Sequence, residues 1–197
     1  MKEFRPYLEL IIGTMFSGKT SYLLNIYKQC IFCNIPILVI NHSLDTRYSN
    51  THMTNHDLTT IPCHFIDSLN VLFTKDECTK DECTKDELKE LYNNSNVIII
   101  NEGQFFGDLQ ANVTQMLRDN KKVYIAGLDS DFKREKFGYM LDLIPICDNI
   151  VKLTSLCSIC KNGTKAIFSM RITDETTQTL IGHSNYIPVC RTCYTYT

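Results

Sequence analysis

The sequence predicts an α/β fold: a parallel sheet with helices on both faces, followed by a small unit closed by a metal. Three observations carry this reading. Short runs of Ile, Val and Leu alternate with segments of helical period, a glycine-containing turn joins the first run to the first helix, and two Cys-x-x-Cys pairs stand near the C-terminus. Strands are expected at Leu8–Ile12, Ile37–Ile40, Val97–Ile100 and Val123–Ala126; nearly continuous apolar runs of this kind suit strands buried on both faces of a parallel sheet. Between them, Ser21–Ile31 offers Leu23, Leu24, Tyr27 and Ile31 at helical spacing, and Leu109–Leu117 repeats the idea with Val113, Met116 and Leu117. Strand–helix alternation implies right-handed βαβ units, whose ligands gather at the carboxyl ends of the strands. From about Val151 the texture changes to short segments rich in Thr, Asn and Cys. The expected division is therefore 1–150, a nucleotide-binding α/β domain, and 151–197, a small cysteine-closed domain.

Composition narrows the function. With 197 residues, 44% hydrophobic and 21% charged, the chain suits one well-buried domain plus an appendage, and excludes both wholesale disorder and two large domains. A net charge of −2 lacks the basic excess needed to neutralise many phosphates of a long nucleic acid. No apolar run approaches the ~20 residues of a bilayer span, so no membrane partner is expected. Glu3, Pro6 and Glu9 interrupt the apolar residues before Gly13, leaving no continuous secretory h-region. The expected compartment is the reducing cytoplasm, where ten cysteines argue for metal ligation or buried thiols rather than disulfides.

One repeat stands out: Thr74-Lys-Asp-Glu-Cys78, Thr79-Lys-Asp-Glu-Cys83 and Thr84-Lys-Asp-Glu-Leu88. Its period matches neither heptads nor solenoids. A solvated segment is expected, turning helical toward Leu88 and Leu91. On a helix Cys78 and Cys83 would stand about 140° apart, unsuited to one metal.

Gly13-Thr14-Met15-Phe16-Ser17-Gly18-Lys19-Thr20 fits G-x-x-x-x-G-K-[ST] at every fixed position, with a strand before it and a helix after it. The glycines let the backbone curl so that successive N–H groups surround phosphate oxygens, and the helix adds its positive dipole end. Lys19 is expected to reach the β and γ phosphates of ATP, and Thr20 to help hold Mg²⁺. The fold expected around such a loop is a P-loop NTPase sheet of the RecA-like type. After Val97–Ile100 comes Asn101-Glu-Gly-Gln-Phe-Phe106, in which only Glu102 is ionisable. A carboxylate there can align or deprotonate an attacking hydroxyl, making Glu102 the candidate general base; the alternative is an acid at a helix N-terminus. Phe105, Phe106, Phe132 and Phe137 put aromatic rings near two strand ends, where they can enclose a flat heterocycle or simply pack in the core.

Cys157-Ser-Ile-Cys160 and Cys190-Arg-Thr-Cys193 read as two knuckles converging on structural Zn²⁺. Such a site is closed to catalysis and contributes folding free energy to a unit too small for an adequate core. Cys30-Ile-Phe-Cys33, Cys63 and Cys147 are read as incidental.

Taken together, these features resemble type II thymidine kinases, the zinc-containing group of cells and some large DNA viruses. The resemblance runs in order through the phosphate loop, Asp45-Thr-Arg-Tyr-Ser49, Thr54-Asn-His-Asp57, Glu102-Gly-Gln-Phe-Phe106, Leu128-Asp-Ser-Asp-Phe-Lys-Arg134, Lys136-Phe-Gly138, Val151-Lys-Leu-Thr154, Tyr186 and both cysteine pairs. It implies phosphoryl transfer from ATP to the 5′-hydroxyl of thymidine. It further implies that Glu102 is the catalytic base and that Arg47 stabilises phosphate charge. Met15, Gln104, Phe105, Leu128, Phe132 and Phe137 would then surround the thymine, with Tyr186 on a zinc-anchored lasso above it. A homotetramer with feedback by thymidine triphosphate is implied as well, in the host cytoplasm if the chain is viral. Asn101 departs from the family's usual Asp: an amide oxygen can accept from a Mg²⁺-bound water but lacks the charge. Two other readings are a P-loop ATPase that remodels nucleic acid, and a noncatalytic nucleotide sensor.

Overall fold

The expected apolar runs form the middle of a six-stranded, all-parallel sheet. The computed structural model describes residues 5–45, 51–55, 58–74, 82–179 and 185–194, with the backbone alone over 82–85. In chain order the elements are β1 (Tyr7–Gly13), α1 (Lys19–Phe32), β2 (Ile37–His42), β3 (His52–Thr54), β4 (Thr60–Pro62), β5 (His64–Ile66), α2 (Glu82–Asn94), β6 (Val97–Ile100), α3 (Leu109–Arg118), β7 (Lys122–Gly127) and β8 (Asn149–Leu153). Four short strands follow: β9 (Ser155–Leu156), β10 (Lys165–Ala166), β11 (Phe168–Arg171) and β12 (Tyr186–Val189).

The sheet runs β5-β2-β6-β7-β1-β8. Chain order reverses beside β1, which pairs with β7 on one side and β8 on the other. The carboxyl end of β1 therefore opens at a switch point, where ligands of open α/β sheets bind.

Alternation along the strands explains why both faces are covered. Leu8, Leu10 and Ile12 of β1, Ile98 and Ile100 of β6, and Val123 and Ile125 of β7 pack with Leu88 and Tyr92 of α2 and with Leu109, Val113 and Met116 of α3. The intervening Ile11, Val39, Ile99 and Ala126 pack instead on Leu23 and Leu24 of α1 and on Met53 and Ile61 of the β3–β4 hairpin. Period two with both faces apolar gives the continuous runs seen in the sequence. Each such side chain, fully buried, contributes about 1.5–3 kcal/mol. α1 begins at Gly18, whose φ of 85° suits glycine, and ends before Asn34 in the left-handed region, with Pro36 beyond. Lys121 is buried and donates Nζ to the carbonyls of Tyr92, Asn93 and Ser95, closing the C-terminal end of α2.

Two features add to the sequence expectation. β5 and the β3–β4 hairpin were not legible in the apolar pattern. β8 crosses the expected 150/151 division, pairing Val151, Lys152 and Leu153 with Ile11, Ile12 and Gly13 of β1. It is an edge strand with exposed Asn149, Ile150 and Lys152, so its ladder rests on backbone bonds without an apolar run. In the pentapeptide repeat, helix is present from Glu82 and runs through Leu88 and Leu91 as expected, with Leu88 buried and Leu91 exposed. Cys78 and the side chain of Cys83 lie outside the described residues.

Candidate active site

The phosphate loop leaves β1 at Gly13 (φ 148°), where an added Cβ would stand 2.3 Å from the carbonyl oxygen of Leu153 in β8. Glycine is therefore required by close approach to the edge strand. Lys19 Nζ donates across the loop to the carbonyls of Gly13 (3.1 Å) and Thr14 (2.7 Å). Thr14 Oγ1 and Ser17 Oγ are buried without hydrogen-bond partners. Buried polar atoms of this kind carry a desolvation cost until something bonds them, and a glycine-rich loop with a Lys and two unbonded hydroxyls fits phosphate oxygens. The backbone N–H of Met15 donates to Ser169 Oγ of β11 (3.0 Å), joining the cysteine-bearing unit to the loop.

Glu102 follows β6 with φ 54° and ψ 42°, a left-handed conformation uncommon for a side-chain-bearing residue. It is the N-cap residue of the short 3₁₀ turn Gly103–Phe105, to which its side chain makes no cap bond. Its Oε2 instead accepts from Gln104 Nε2 at 2.6 Å. Gln104 is buried, and its Oε1 accepts the N–H of Leu128 (3.0 Å), which fixes which end of the amide faces the carboxylate. Gly138 (φ 59°) is forced by the same residue, since a Cβ there would stand 2.1 Å from the Gln104 carbonyl oxygen.

These parts open into one cavity of about 1000 Å³, counting its mouth. Met15 to Thr20, Glu102 and Gln104 line it together with a largely aromatic wall of Phe105, Leu128, Phe132, Phe137 and Tyr186. Phe105 and Phe137 meet edge to face with centroids 5.7 Å apart. Phe106 is not in the wall: it is fully buried against His42, with centroids 4.7 Å apart. Neighbouring residues point to opposite sides, so one Phe of the pair serves the site and the other the core.

Asn101 is buried and does not line the cavity. Its Nδ2 donates to Asn41 Oδ1 (3.2 Å), which also accepts the N–H of His42 (3.0 Å), while Asn41 Nδ2 donates to Asp45 Oδ2 (2.9 Å) at the cavity edge. The His42 N–H fixes the orientation of Asn41, and this in turn requires a donor at 101. With Asp there, either orientation of Asn41 would set one acceptor against another. Asn101→Asp is therefore expected to cost about 1–3 kcal/mol of stability, read as a lower urea midpoint at neutral pH; an unchanged midpoint would show that the amide chain is not coupled to folding. Arg47 lies outside the described residues.

Cys157, Cys160, Cys190 and Cys193 bring their sulfurs within 4.8 Å of one another. A Zn²⁺ with ~2.3 Å bonds to sulfur has tetrahedral edges of roughly 3.8 Å, so the four thiolates fit the ion. The N–H of Cys160 donates to Cys157 Sγ (3.4 Å), and this bond leads the causes that lower the Cys157 thiol below its usual range. Cys193 is pushed up to about 12, chiefly by sharing a hydrogen bond with Cys160. A metal replaces these shared protons.

Several site residues were not assigned roles from the sequence. Ser169 reaches the loop only because β11 pairs with β12. Asp131 is buried, accepts the N–H groups of Lys133 (2.8 Å) and Glu135 (2.9 Å), and takes Gln178 Nε2 on its other oxygen (2.9 Å). It thus ties the aromatic wall to the segment above. The quoted motif Leu128–Arg134 was the only signal for it.

A phosphate cradle, a strand-end carboxylate and an aromatic base-sized pocket in one cavity define a P-loop phosphotransferase acting on a small acceptor. A family model for thymidine kinase matches residues 6–194, and the chain belongs to the thymidine kinase family. It is 38% identical over 189 residues to thymidine kinase a of Arabidopsis thaliana, covering 95% of this chain and 74% of that protein. It is 36% identical over 189 residues to the thymidine kinase of Yaba monkey tumor virus, covering 95% of this chain and 94% of the viral one. Among solved structures, a DNA replication initiation factor overlaps 77% of this chain and 40% of its own, at 10% identity and a TM-score of 0.43.

Proposed function

We propose that this chain transfers the γ-phosphate of ATP to the 5′-hydroxyl of thymidine. The observation that carries the reading is the cavity lined at once by the phosphate loop, Glu102 and the aromatic wall. The backbone of 13–20 and Lys19 bind the triphosphate, while Phe105, Leu128, Phe132, Phe137 and Tyr186 clasp the pyrimidine. Catalysis is then mostly positioning and charge stabilisation, with the γ-phosphorus in line with the acceptor oxygen. Glu102, held by Gln104, accepts the hydroxyl proton, and Arg47 neutralises charge on the phosphate being moved. Thr20 and the substrate phosphates would hold Mg²⁺, which when bound neutralises phosphate charge. The four thiolates would hold Zn²⁺.

We place the division between the two units after β8, so that the residues beyond Leu153 form a lid over the nucleoside. Exposed Ile31 and Phe32 at the end of α1 are apolar surface that a homotetramer would cover. Thymidine triphosphate could span both ends of the cavity, which supports feedback by the end product. Every described cysteine is a free thiol, in keeping with the cytoplasm. No helix among the described residues is long and apolar enough to cross a membrane.

Purified protein with Mg²⁺-ATP and a panel of labelled nucleosides tests the reading. Thymidine monophosphate is the expected product. ATP hydrolysis stimulated by DNA without nucleoside phosphorylation would support the nucleic-acid ATPase instead, and tight binding of both ligands without transfer would support a sensor.

A further inference from the structure

Arg171 occupies the last position of β11, paired in register with Tyr186 at the start of β12, so it sits where segment 172–179 leaves its hairpin. Its Nη1 donates to the carbonyls of Glu175 (2.7 Å) and Thr177 (2.6 Å). Its Nη2 donates to the carbonyl of Gln178 (3.2 Å) and to the hydroxyl of Tyr186. The guanidinium carbon lies 3.7 Å from the ring centre of Phe132 and 5.0 Å from that of Tyr186. One planar cation therefore gathers three carbonyls of the covering segment and stacks on one ring of the nucleoside pocket while bonding a second. A guanidinium suits this role because its donors diverge in a plane whose face stays available for stacking.

Arg171 does not itself line the cavity, whereas Phe132, Gln178, Thr179 and Tyr186 do. Its bonds hold the covering segment from the ribbon side. From the other side, Gln178 Nε2 donates to Asp131 Oδ2 (2.9 Å), and Tyr194, next to Cys193, donates its hydroxyl to the Phe132 carbonyl (2.6 Å). Among the described residues, no hydrogen bond runs from Arg171 to the phosphate loop.

We propose that Arg171 is the positioning residue that sets closure of segment 172–179 over the nucleoside, and so fixes nucleoside affinity separately from ATP affinity. This rests on the phosphotransfer reading above. An open segment presents Phe132 and Tyr186 in many orientations, and ordering them falls to the ligand, which then binds more weakly.

R171M keeps the apolar stem and removes every donor. Its KM for thymidine is expected to rise about 10–100-fold, the loss typical of a charged hydrogen-bonding hub. Its KM for ATP should change less than about twofold, since the hydrogen bonds of Arg171 go to the covering segment and Tyr186 and not to the phosphate loop. Zinc content should be unchanged. R171K, which supplies a point charge without the fork, should give a thymidine KM between wild type and R171M. Proteinase K should cut within 172–179 faster in R171M than in wild type. No rise in thymidine KM, or an equal rise for both substrates in R171K, overturns the proposal. If the wild-type protein binds no thymidine by calorimetry, the phosphotransfer reading fails; the cleavage rate then still decides whether Arg171 closes the segment, and equal rates in the two proteins overturn that.

Discussion

Glu102→Gln is expected to lower turnover about 10²–10⁴-fold, the range attributed to acid–base assistance, with thymidine and ATP still bound. The substitution is nearly isosteric and leaves the amide of Gln104 a carbonyl oxygen to bond in place of Oε2, so the local geometry can persist. It removes the only ionisable group of the Asn101–Phe106 turn. The left-handed backbone at Glu102 and the Leu128–Gln104–Glu102 bonds show a carboxylate whose position is over-determined, as expected where backbone strain serves function. Steady-state kinetics give kcat, and calorimetry gives both dissociation constants. Near-normal kcat would remove Glu102 from its role, and loss of binding would make it a ligand contact rather than a base.

Removing zinc is the second large effect. The core of the cysteine unit consists of buried Cys157, Ala166, Val189 and Cys190, with partly buried Phe168, Met170, Ile187 and Tyr194 around it. So little apolar surface cannot order four short strands, whereas structural zinc supplies about 10–16 kcal/mol of apparent binding free energy in small metal-folded units. Chelation, or Cys160→Ser, is expected to unfold β9 to β12 and to raise the thymidine KM well above its starting value. The ATP KM should move less, because the loop keeps its strand, its helix and its β8 contact at Gly13. Near-ultraviolet circular dichroism of the tyrosines together with substrate kinetics reads both effects. Equal loss of both substrates would mean that the whole chain unfolds and that the metal is not local to the lid.

What was legible in the sequence is what depends on neighbours along the chain. A phosphate loop is one turn between a strand and a helix, and a cysteine knuckle is one turn with two thiols; both are specified within a few residues. The apolar runs likewise report burial on both faces, which is why β1, β2, β6 and β7 were expected nearly where they lie. Edge strands β5 and β8 carry no such signal, because only one neighbour covers them.

The sequence alone specified the glycine-rich turn after β1, the strand-end carboxylate proposed as the base and the two cysteine pairs proposed to hold the metal, since each of those needs only local spacing. Tertiary structure alone decided that Phe105 lines the site while Phe106 fills the core, that Asn101 bonds Asn41 behind the cavity wall, and that Ser169, Asp131 and Arg171 join the lid to the site. These roles arise from pairing between distant segments. A hydrogen bond across such a pairing depends on register and on which way a side chain faces, and neither is written in the residue type.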